Sequence, residues 1–555
     1  MSNERLIYLP LGGAGEVGMN CYVYGYGPED AERLIVVDLG VTFPDMDGTP
    51  GVDLILPDVQ WLAERAERIE AIFITHAHED HIGALAHLWP RLKAPVYARA
   101  FTAHLGRMKL EDAGLDPTTV RTVSTWPETV TAGPFTVGFV PISHSIPESA
   151  GLCIDTPRGR VVHSADFKLD ETPVVGERFD RDLWAGIARP GIRALACDST
   201  NVFVDRPGRS EASLGAEIER LVSSATGMVA ATTFASNIAR LKTLAEAGQR
   251  AGRSVCLLGR AMRRMITAGI ETGILTDFPK TVSPEDALEI PRANLMLLSS
   301  GSQGERRAAT AQLARGKYLG LEMKAGDLFL FSSKTIPGNE KSVLRIINAF
   351  SEMGVDVVDD ASDRYHVSGH ANRPDLKEMH GLLRPQMLIP MHGEHRMLRA
   401  HVALGAETGI PGVIAPNGAV VDLSGDAPRI AEYVEAGRSY LDGKVQIGAL
   451  DGVVRDRIRM ALNGHVMASV IIDEDGEMLG DPWCEIMGLA ETGLSKAPLV
   501  DVLEHDLGQA LARAGGKTLA DDDKLVDTAK RAVRKTAMDE IGKKPEVTVV
   551  ISRLS

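Results

Sequence analysis

The segment Thr75-His76-Ala77-His78-Glu79-Asp80-His81 constrains this chain more than any other. It follows the apolar run AIFIT and leads into IGALAHL, which crowds four ligand-type side chains into a strand-to-helix turn. His76 and His78, two apart in extended backbone, can point the same way. Asp80 and His81 open the helix and can face a second ion. Imidazole nitrogen and carboxylate oxygen suit zinc, and a carboxylate-rich site also admits manganese. A solitary histidine is usually a core or surface residue, but three with an aspartate at this density read as a metal site.

The surroundings agree. Through the first 200 positions, Leu34–Val37, Ala71–Ile74, Val96–Ala98, Thr136–Val140, Arg160–His163 and Ala194–Cys197 read as buried strands. Helical spacing lies between them at Asp58–Arg68 and Ile82–Leu92. This alternation predicts a layered α/β domain with its chemistry at the strand ends. Four more candidates fall there: Asp38 after LIVV, His144 in PISHSIP, Asp166 in SADF and His392 in PMHGE. Each alone could be a turn or capping residue; with the histidine cluster they complete two coordination spheres.

At 555 residues the chain exceeds what one core supports, and about two to four domains are expected. Residues 210–360 repeat the α/β alternation as a separate unit, and Gln386–Pro390 and Val413–Ala415 read as further strands. Glu432–Arg455 reads as a connector. HVMASVIIDEDGEMLG then reads as a hairpin turning at Asp473–Gly476, followed by helices over Leu499–Ala514 and Lys524–Ile541 and a last strand, EVTVVISRL.

A net charge of −15 argues against a generally adhesive nucleic-acid binder, because non-specific affinity comes from phosphate neutralisation. A nuclease remains compatible with it, since metal ions and a local basic groove can hold a phosphate. Five scattered cysteines without Cys-x-x-Cys spacing argue against a disulfide framework and against a thiolate zinc knot. The start reads without a signal peptide and no apolar run spans a membrane, so a soluble cytoplasmic protein is expected.

The order D…HxHxDH…H…D…H resembles the metallo-β-lactamase superfamily. TTFASNIARL, SSGSQGE, SSKTIPGNE, HVSGHA, PMHGE and the opening LGGAGEVGMN resemble the bacterial ribonuclease J family within its β-CASP group. The resemblance covers nearly the whole chain. It implies an αββα metallo-β-lactamase fold at 1–207 and 373–448, interrupted by a β-CASP domain at 208–372. A linker at 449–464 and a small α+β C-terminal domain at 465–555 would follow.

By this resemblance His76, His78 and His144 hold one metal, Asp80, His81 and His392 the other, and Asp166 bridges them. Asp38 orients the ligand loop from behind. Two Zn²⁺ ions per subunit, with Mn²⁺ or Mg²⁺ as alternatives, would activate hydroxide for attack on a phosphodiester. Asp80 would serve both as ligand and in catalysis. Asp198 matches the first acidic β-CASP motif and His366 or His370 the histidine of the second. His366 would stabilise charge or protonate the leaving oxygen, or simply be a buried hydrogen-bonding histidine.

Ser236, Asn237, Ser368, Gly369 and His370 would cradle a 5′-phosphate, which makes the enzyme a 5′-to-3′ exonuclease that also cuts internally, in RNA maturation and decay. Ser236-Asn237 reads equally well as a plain helix N-cap. Single-stranded RNA is the implied substrate, a homodimer or dimer of dimers the implied assembly, and an RNA-degradation complex the implied setting. Two departures from the family pattern, Ala239 and Arg306, bear on discrimination among 5′ ends rather than on the metals. Against this stand two rivals. A small-molecule hydrolase of lactamase or thioesterase type does not account for the inserted unit, and a non-catalytic RNA-binding scaffold does not account for the complete ligand set.

Overall fold

Glu4–Gly12 is a strand in which every residue from Leu6 onward is buried. A strand with no exposed face must lie inside a sheet covered on both sides. In the computed structural model, which describes residues 4–359, 361 and 363–554, that sheet has eight strands. Their order is Arg429–Tyr433, Ala419–Asp422, Glu4–Gly12, Cys21–Pro28, Arg33–Val37, Ile69–Ile74, Val96–Ala98 and Val120–Thr122. A six-stranded sheet runs Leu388–Met391, Ile192–Asp198, Gly159–His163, Ala150–Thr156, Phe135–Pro141 and Val130–Ala132.

Tyr8, Tyr22, Tyr24 and Phe73 from the first sheet share one apolar core with Phe135, Phe139, Leu152 and Ile389 from the second. Outside the second sheet, Val162, Leu195 and Cys197 pack against Trp184, Met379 and Leu404 of the helices Arg181–Ala188, Arg373–Leu383 and His395–Ala406. Outside the first, the helix Ala100–Asp112 lies on Val96–Ala98 and Val120–Thr122. The result is the αββα layering of the metallo-β-lactamase fold. The chain leaves it after Ile192–Asp198 and returns through Arg373–Leu383.

The intervening chain forms a third sheet of six strands, all parallel, ordered Thr281–Val282, Ser254–Leu258, Leu295–Ser299, Val229–Thr232, Leu328–Phe331 and Asp356–Val358. Its four inner strands are near-continuous buried runs because helices cover both faces, while the edge strands Thr281–Val282 and Asp356–Val358 are not. Ala231, Leu298 and Leu330 pack towards the helices Gly215–Ser224 and Ile238–Arg250, and Ala230, Leu297 and Phe329 towards Glu340–Glu352.

By internal contacts the chain divides into two units, Met1–Thr42 with Leu56–Arg438 and Phe43–Ile55 with Ser439–Ser555. The inserted sheet therefore belongs to the first unit. In the second, the sheet Trp483–Met487, His465–Ile472 and Glu546–Arg553 packs one face on the helices Leu499–Ala514 and Asp522–Ile541.

Several local expectations need correction. Asp58–Arg68 holds only the short helix Gln60–Ala63 and a 3₁₀ turn, and Ile82–Leu92 breaks at Gly83-Ala84 into two helices. Val413–Ala415 is not a strand; its neighbour Gly412 forms a lone parallel bridge with Leu388, and Val413 N donates to Leu388 O at 3.2 Å. The connector and linker at 432–464 contain the strands Arg438–Asp442 and Val445–Gly448 and the helix Val453–Asn463. After the turn at Asp473–Gly476 there is a single bridge, Ile472 to Met478. The antiparallel partner of His465–Ile472 is Trp483–Met487, and the terminal strand joins it in parallel.

One buried ion pair ties the inserted sheet to the ligand-bearing loops. Arg240 is 0% exposed and donates from Nε and Nη2 to both oxygens of Glu211, at 2.5 and 2.9 Å, and from Nη1 to the Ser332 carbonyl at 2.6 Å. Glu211 in turn donates its N–H to Asp170 at 2.9 Å, and Asp170 pairs with Lys168 at 3.0 Å. Removing one partner leaves an uncompensated buried charge, whereas removing both does not. Arg240→Met should therefore cost about 3–5 kcal/mol in denaturant titrations, and Arg240→Met with Glu211→Leu should recover most of it. A single variant no less stable than the double would contradict this account.

Candidate metal centre

Every candidate ligand stands where a strand stops. Asp38 follows Arg33–Val37, the Thr75–His81 run follows Ile69–Ile74, and His144 follows Phe135–Pro141. Asp166 follows Gly159–His163, Asp198 ends Ile192–Asp198, and His392 follows Leu388–Met391. The chain between Asp38 and Val41 lies directly on the Glu79–His81 turn, with Leu39 N donating to His81 O at 2.8 Å and Val41 N to Glu79 O at 3.0 Å. Gly40 permits this approach, since a Cβ there would sit 1.6 Å from the Asp80 carbonyl oxygen.

The seven expected ligands come together as two quartets, His76, His78, His144 and Asp166, and Asp80, His81, Asp166 and His392, which share Asp166. In the first, His78 Nδ1 is 3.1 Å from both His76 Nε2 and His144 Nε2. Nitrogens on one tetrahedral zinc, with bonds near 2.0 Å, stand roughly 3.3 Å apart, so the spacing fits a shared ion. In the second, His81 Nε2 is 3.2 Å from Asp166 Oδ2 and His392 Nε2 is 3.1 Å from Asp80 Oδ2. Asp166 Oδ1 is buried and forms no well-directed hydrogen bond, although His392 Nδ1 is 3.3 Å away. Such a donor set, with a buried carboxylate oxygen left over, fits divalent cations.

Each ligand is aimed from behind. Asp38 is fully buried and accepts from Thr75 N, Thr75 Oγ1 and His81 Nδ1, all at 2.8 Å, which turns His81 Nε2 towards the centre. His144 Nδ1–H donates to the Gly369 carbonyl at 2.6 Å. A Cβ on Gly369 would lie 2.9 Å from the His144 ring, so a larger residue would displace it.

Sequence reasoning missed three participants. Asn20 Nδ2 donates to Asp80 O at 2.9 Å and lies 3.0 Å from His81 Nε2. Thr200 Oγ1 donates to Asp198 at 2.7 Å and sits 3.0 Å from His392 Nδ1. Asn201 Nδ2 donates to Ser368 Oγ at 2.8 Å. Thr200 and Asn201 stand two and three residues after Asp198, and Asn20 closes the LGGAGEVGMN opening, so the sequence carries a signal near all three.

The charges of the two halves differ. Burial keeps His76 and His144 well below the ordinary histidine range and lowers His78 to about 4, so these rings are neutral. Burial also opposes charge on His392, but Asp166, Asp198 and Asp80 outweigh it and raise the ring to about 10. His81 is raised in the same way by Asp166, Asp80 and Asp38.

Among the β-CASP candidates the structure separates His366 from His370. His370 Nδ1 donates to Asp198 at 2.7 Å and joins Asp166, Asp198 and His392 in one cluster. His366 is outside every metal-capable cluster among the described residues and lies 3.4 Å from Arg240 Nη1. Burial first, then Arg240, Lys334, Lys168 and Arg209, depress its pKa. Asn237 caps the helix Ile238–Arg250, its Oδ1 accepting from Arg240 N at 2.9 Å, as the plain N-cap reading has it; Ser236 beside it is half-buried. Ser368 Oγ accepts from Asn201 and from His370 N, so much of the SGH loop is committed to the protein itself.

Family models match along the chain: the metallo-beta-lactamase superfamily over 14–221, the ribonuclease J beta-CASP domain over 226–350, the Zn-dependent metallo-hydrolase RNA specificity domain over 355–416 and the ribonuclease J C-terminal domain over 452–554. Ribonuclease J of Sinorhizobium meliloti is 40% identical over 100% of this chain and 98% of its own length. That of Mycolicibacterium smegmatis is 34% identical over 98% of this chain and 96% of its own. A protein of unknown function from Enterococcus faecalis V583 shares the fold with a TM-score of 0.51 at 16% identity, across 75% of this chain and 100% of that one. With four matching domains and full-length relatives, this chain belongs to the ribonuclease J family and is a metal-dependent ribonuclease.

Proposed function

We propose that the protein degrades single-stranded RNA from a 5′-monophosphate end, with additional internal cleavage. The observation that carries this is the pair of quartets sharing Asp166, with Arg240, Lys334, Lys168 and Arg209 all bearing on His366, four residues before His370. His76, His78 and His144 would hold one divalent ion and Asp80, His81 and His392 the other, with Asp166 common to both. Zinc suits the nitrogen-rich half, and manganese or magnesium is compatible with the carboxylate-rich half. Bound there, the ions would acidify a water molecule and neutralise phosphodiester charge.

The chain's own residues do the rest. Asp38 and Gly369 hold the rings of His81 and His144 in the orientation that leaves Nε2 free. His370 is opposed by burial but carried above the ordinary histidine value by Asp198 and Asp166, which favours its protonated form. With Nδ1 tied to Asp198 and its ring edge partly exposed, its Nε2–H is free to protonate the leaving 3′ oxygen. This role moves from His366 to His370. The exposed Arg209 and Lys334, which bear on His366, instead take the 5′-terminal phosphate. Copies of the chain pair through the second unit, whose sheet leaves Trp483 49% and Met487 70% exposed on the face turned from its helices.

Three measurements check this reading. One single-stranded RNA carrying a 5′-monophosphate or a 5′-triphosphate should yield mononucleotides mainly from the monophosphate form, and His76→Ala or Asp80→Ala should abolish cleavage in a folded protein. Internal fragments indifferent to the 5′ end would remove the anchored-exonuclease reading, and full activity in either variant would remove that ligand.

His370→Gln should lower kcat by about 10²–10⁴-fold at unchanged metal content. Because a general acid with a raised pKa works only while protonated, wild-type kcat should fall as pH rises through that value, and the variant should lose this limb. A parallel profile in the variant would count against proton donation. Truncation after residue 460 should shift light scattering towards the monomer, and an unchanged mass would dismiss the pairing surface.

A further inference from the structure

Behind the catalytic edge lies a second set of metal-type ligands that the ribonuclease reading does not use. Cys197 precedes Asp198 on the strand Ile192–Asp198, His380 stands in the last turn of the helix Arg373–Leu383, and His401 in the middle of the helix His395–Ala406. All three are fully buried or nearly so, and one ligand atom from each lies within 4.8 Å of the others. The two rings are stacked, with centroids 5.1 Å apart and planes 13° from parallel, and their Nε2 atoms are 3.1 Å apart. That is the separation between His78 and its neighbours in the catalytic centre.

The rest of the cluster is built the same way. His401 Nδ1 lies 2.9 Å from Ser199 Oγ, which donates to the Cys197 carbonyl at 3.3 Å. This chain of contacts keeps the proton on Nδ1 and leaves the Nε2 lone pair aimed at His380. Burial lowers His380 to about 4 and His401 well below the ordinary value, so both rings are neutral and able to donate an electron pair. His380 Nδ1 has no partner, so hydrogen bonding alone does not satisfy this pair.

We infer that Cys197, His380 and His401 form a third metal site, structural rather than catalytic, that takes a zinc-class ion through one sulfur and two nitrogens. The donor set is soft and nitrogen-rich, which favours zinc over magnesium or calcium. On binding, the Cys197 thiol loses its proton to solvent and the thiolate–metal bond forms, with no change of oxidation state. An ion there clamps the strand that carries Asp198 to the helix that follows His370 and the helix that follows His392. It thereby fixes the backs of three elements whose fronts line the catalytic centre. The inference stands apart from the ribonuclease reading, because none of its ligands faces substrate.

Cobalt tests it without confusion from the catalytic ions. Neither catalytic quartet contains a cysteine, and Cys197 is the only cysteine in a metal-capable cluster among the described residues. Full-length protein produced in cobalt medium should show a near-ultraviolet sulfur-to-cobalt charge-transfer band. It should keep that band in His76→Ala and lose it in Cys197→Ser and His380→Gln. Circular dichroism would establish that the variants are folded; if Cys197→Ser does not fold, the wild-type spectrum and His380→Gln decide the matter. Cobalt-loaded, active wild type without the band would overturn the site, as would a band of equal intensity in folded Cys197→Ser or His380→Gln.

Discussion

Three carboxylates held out of water, Asp38, Asp166 and Asp198, with Asp80 at their edge, set the terms on which the molecule folds. Burying an unpaired charge costs several kcal/mol per ion after relaxation. The answer is a lattice of imidazoles. Asp38 is spent on His81 and Thr75, Asp198 on His370 and Thr200, and Asp166 is ringed by His81, His392 and, at 3.8–3.9 Å, by His76, His144 and His370. Protons on His81, His370 and His392 balance that charge in the ion-free protein. Cations and protons therefore compete for one set of lone pairs, which links metal affinity to pH.

Holding such a lattice takes a stiff frame, because several of its backbones are strained. Asp38, Ala165 and His392 lie in the left-handed region at φ 64°, 53° and 49°. Each costs of the order of 1–3 kcal/mol for a non-glycine residue. The strain survives because each residue is the first after a buried strand or within two positions of it, and the strands are fixed by a common core of tyrosine, phenylalanine and aliphatic side chains. Two sheets stacked face to face bring their strand ends to one edge. There, residues more than 300 positions apart, such as Asp80 and His392, reach 3.1 Å.

How much of this the sequence disclosed follows from the range of the forces involved. The HAHEDH turn, the buried strands and the two C-terminal helices announce themselves through local periodicity, and the structure returns them with shifted ends. Asn20, by contrast, closes a quoted motif, but its contact with Asp80 arises only because the chain from Asp38 to Val41 folds onto that turn, which local periodicity does not show. His380 and His401 look like ordinary helix residues until two helices are laid side by side. His366 and His370, four apart in one loop, are indistinguishable by spacing, and only the approach of Asp198 separates them. The strands at 438–448 were hidden for the opposite reason. They are short, polar and half-exposed, so they lack the apolar alternation by which strands are recognised.

The acidic balance of the chain also takes on meaning once the cations are located. Phosphate attraction spread over a surface would hold any polyanion and would weaken steeply with salt. Here Arg240 and Lys168 are buried in ion pairs with Glu211 and Asp170, so neither is offered to the outer surface, although both bear on His366. A −15 chain therefore cannot rely on its surface as a whole to hold RNA. The proposed selectivity for a chain end rests on the same balance of charge. A terminal phosphate carries more charge than an internal one and is unobstructed on one side, so a few well-placed cations such as Arg209 and Lys334 would favour it over the middle of a strand.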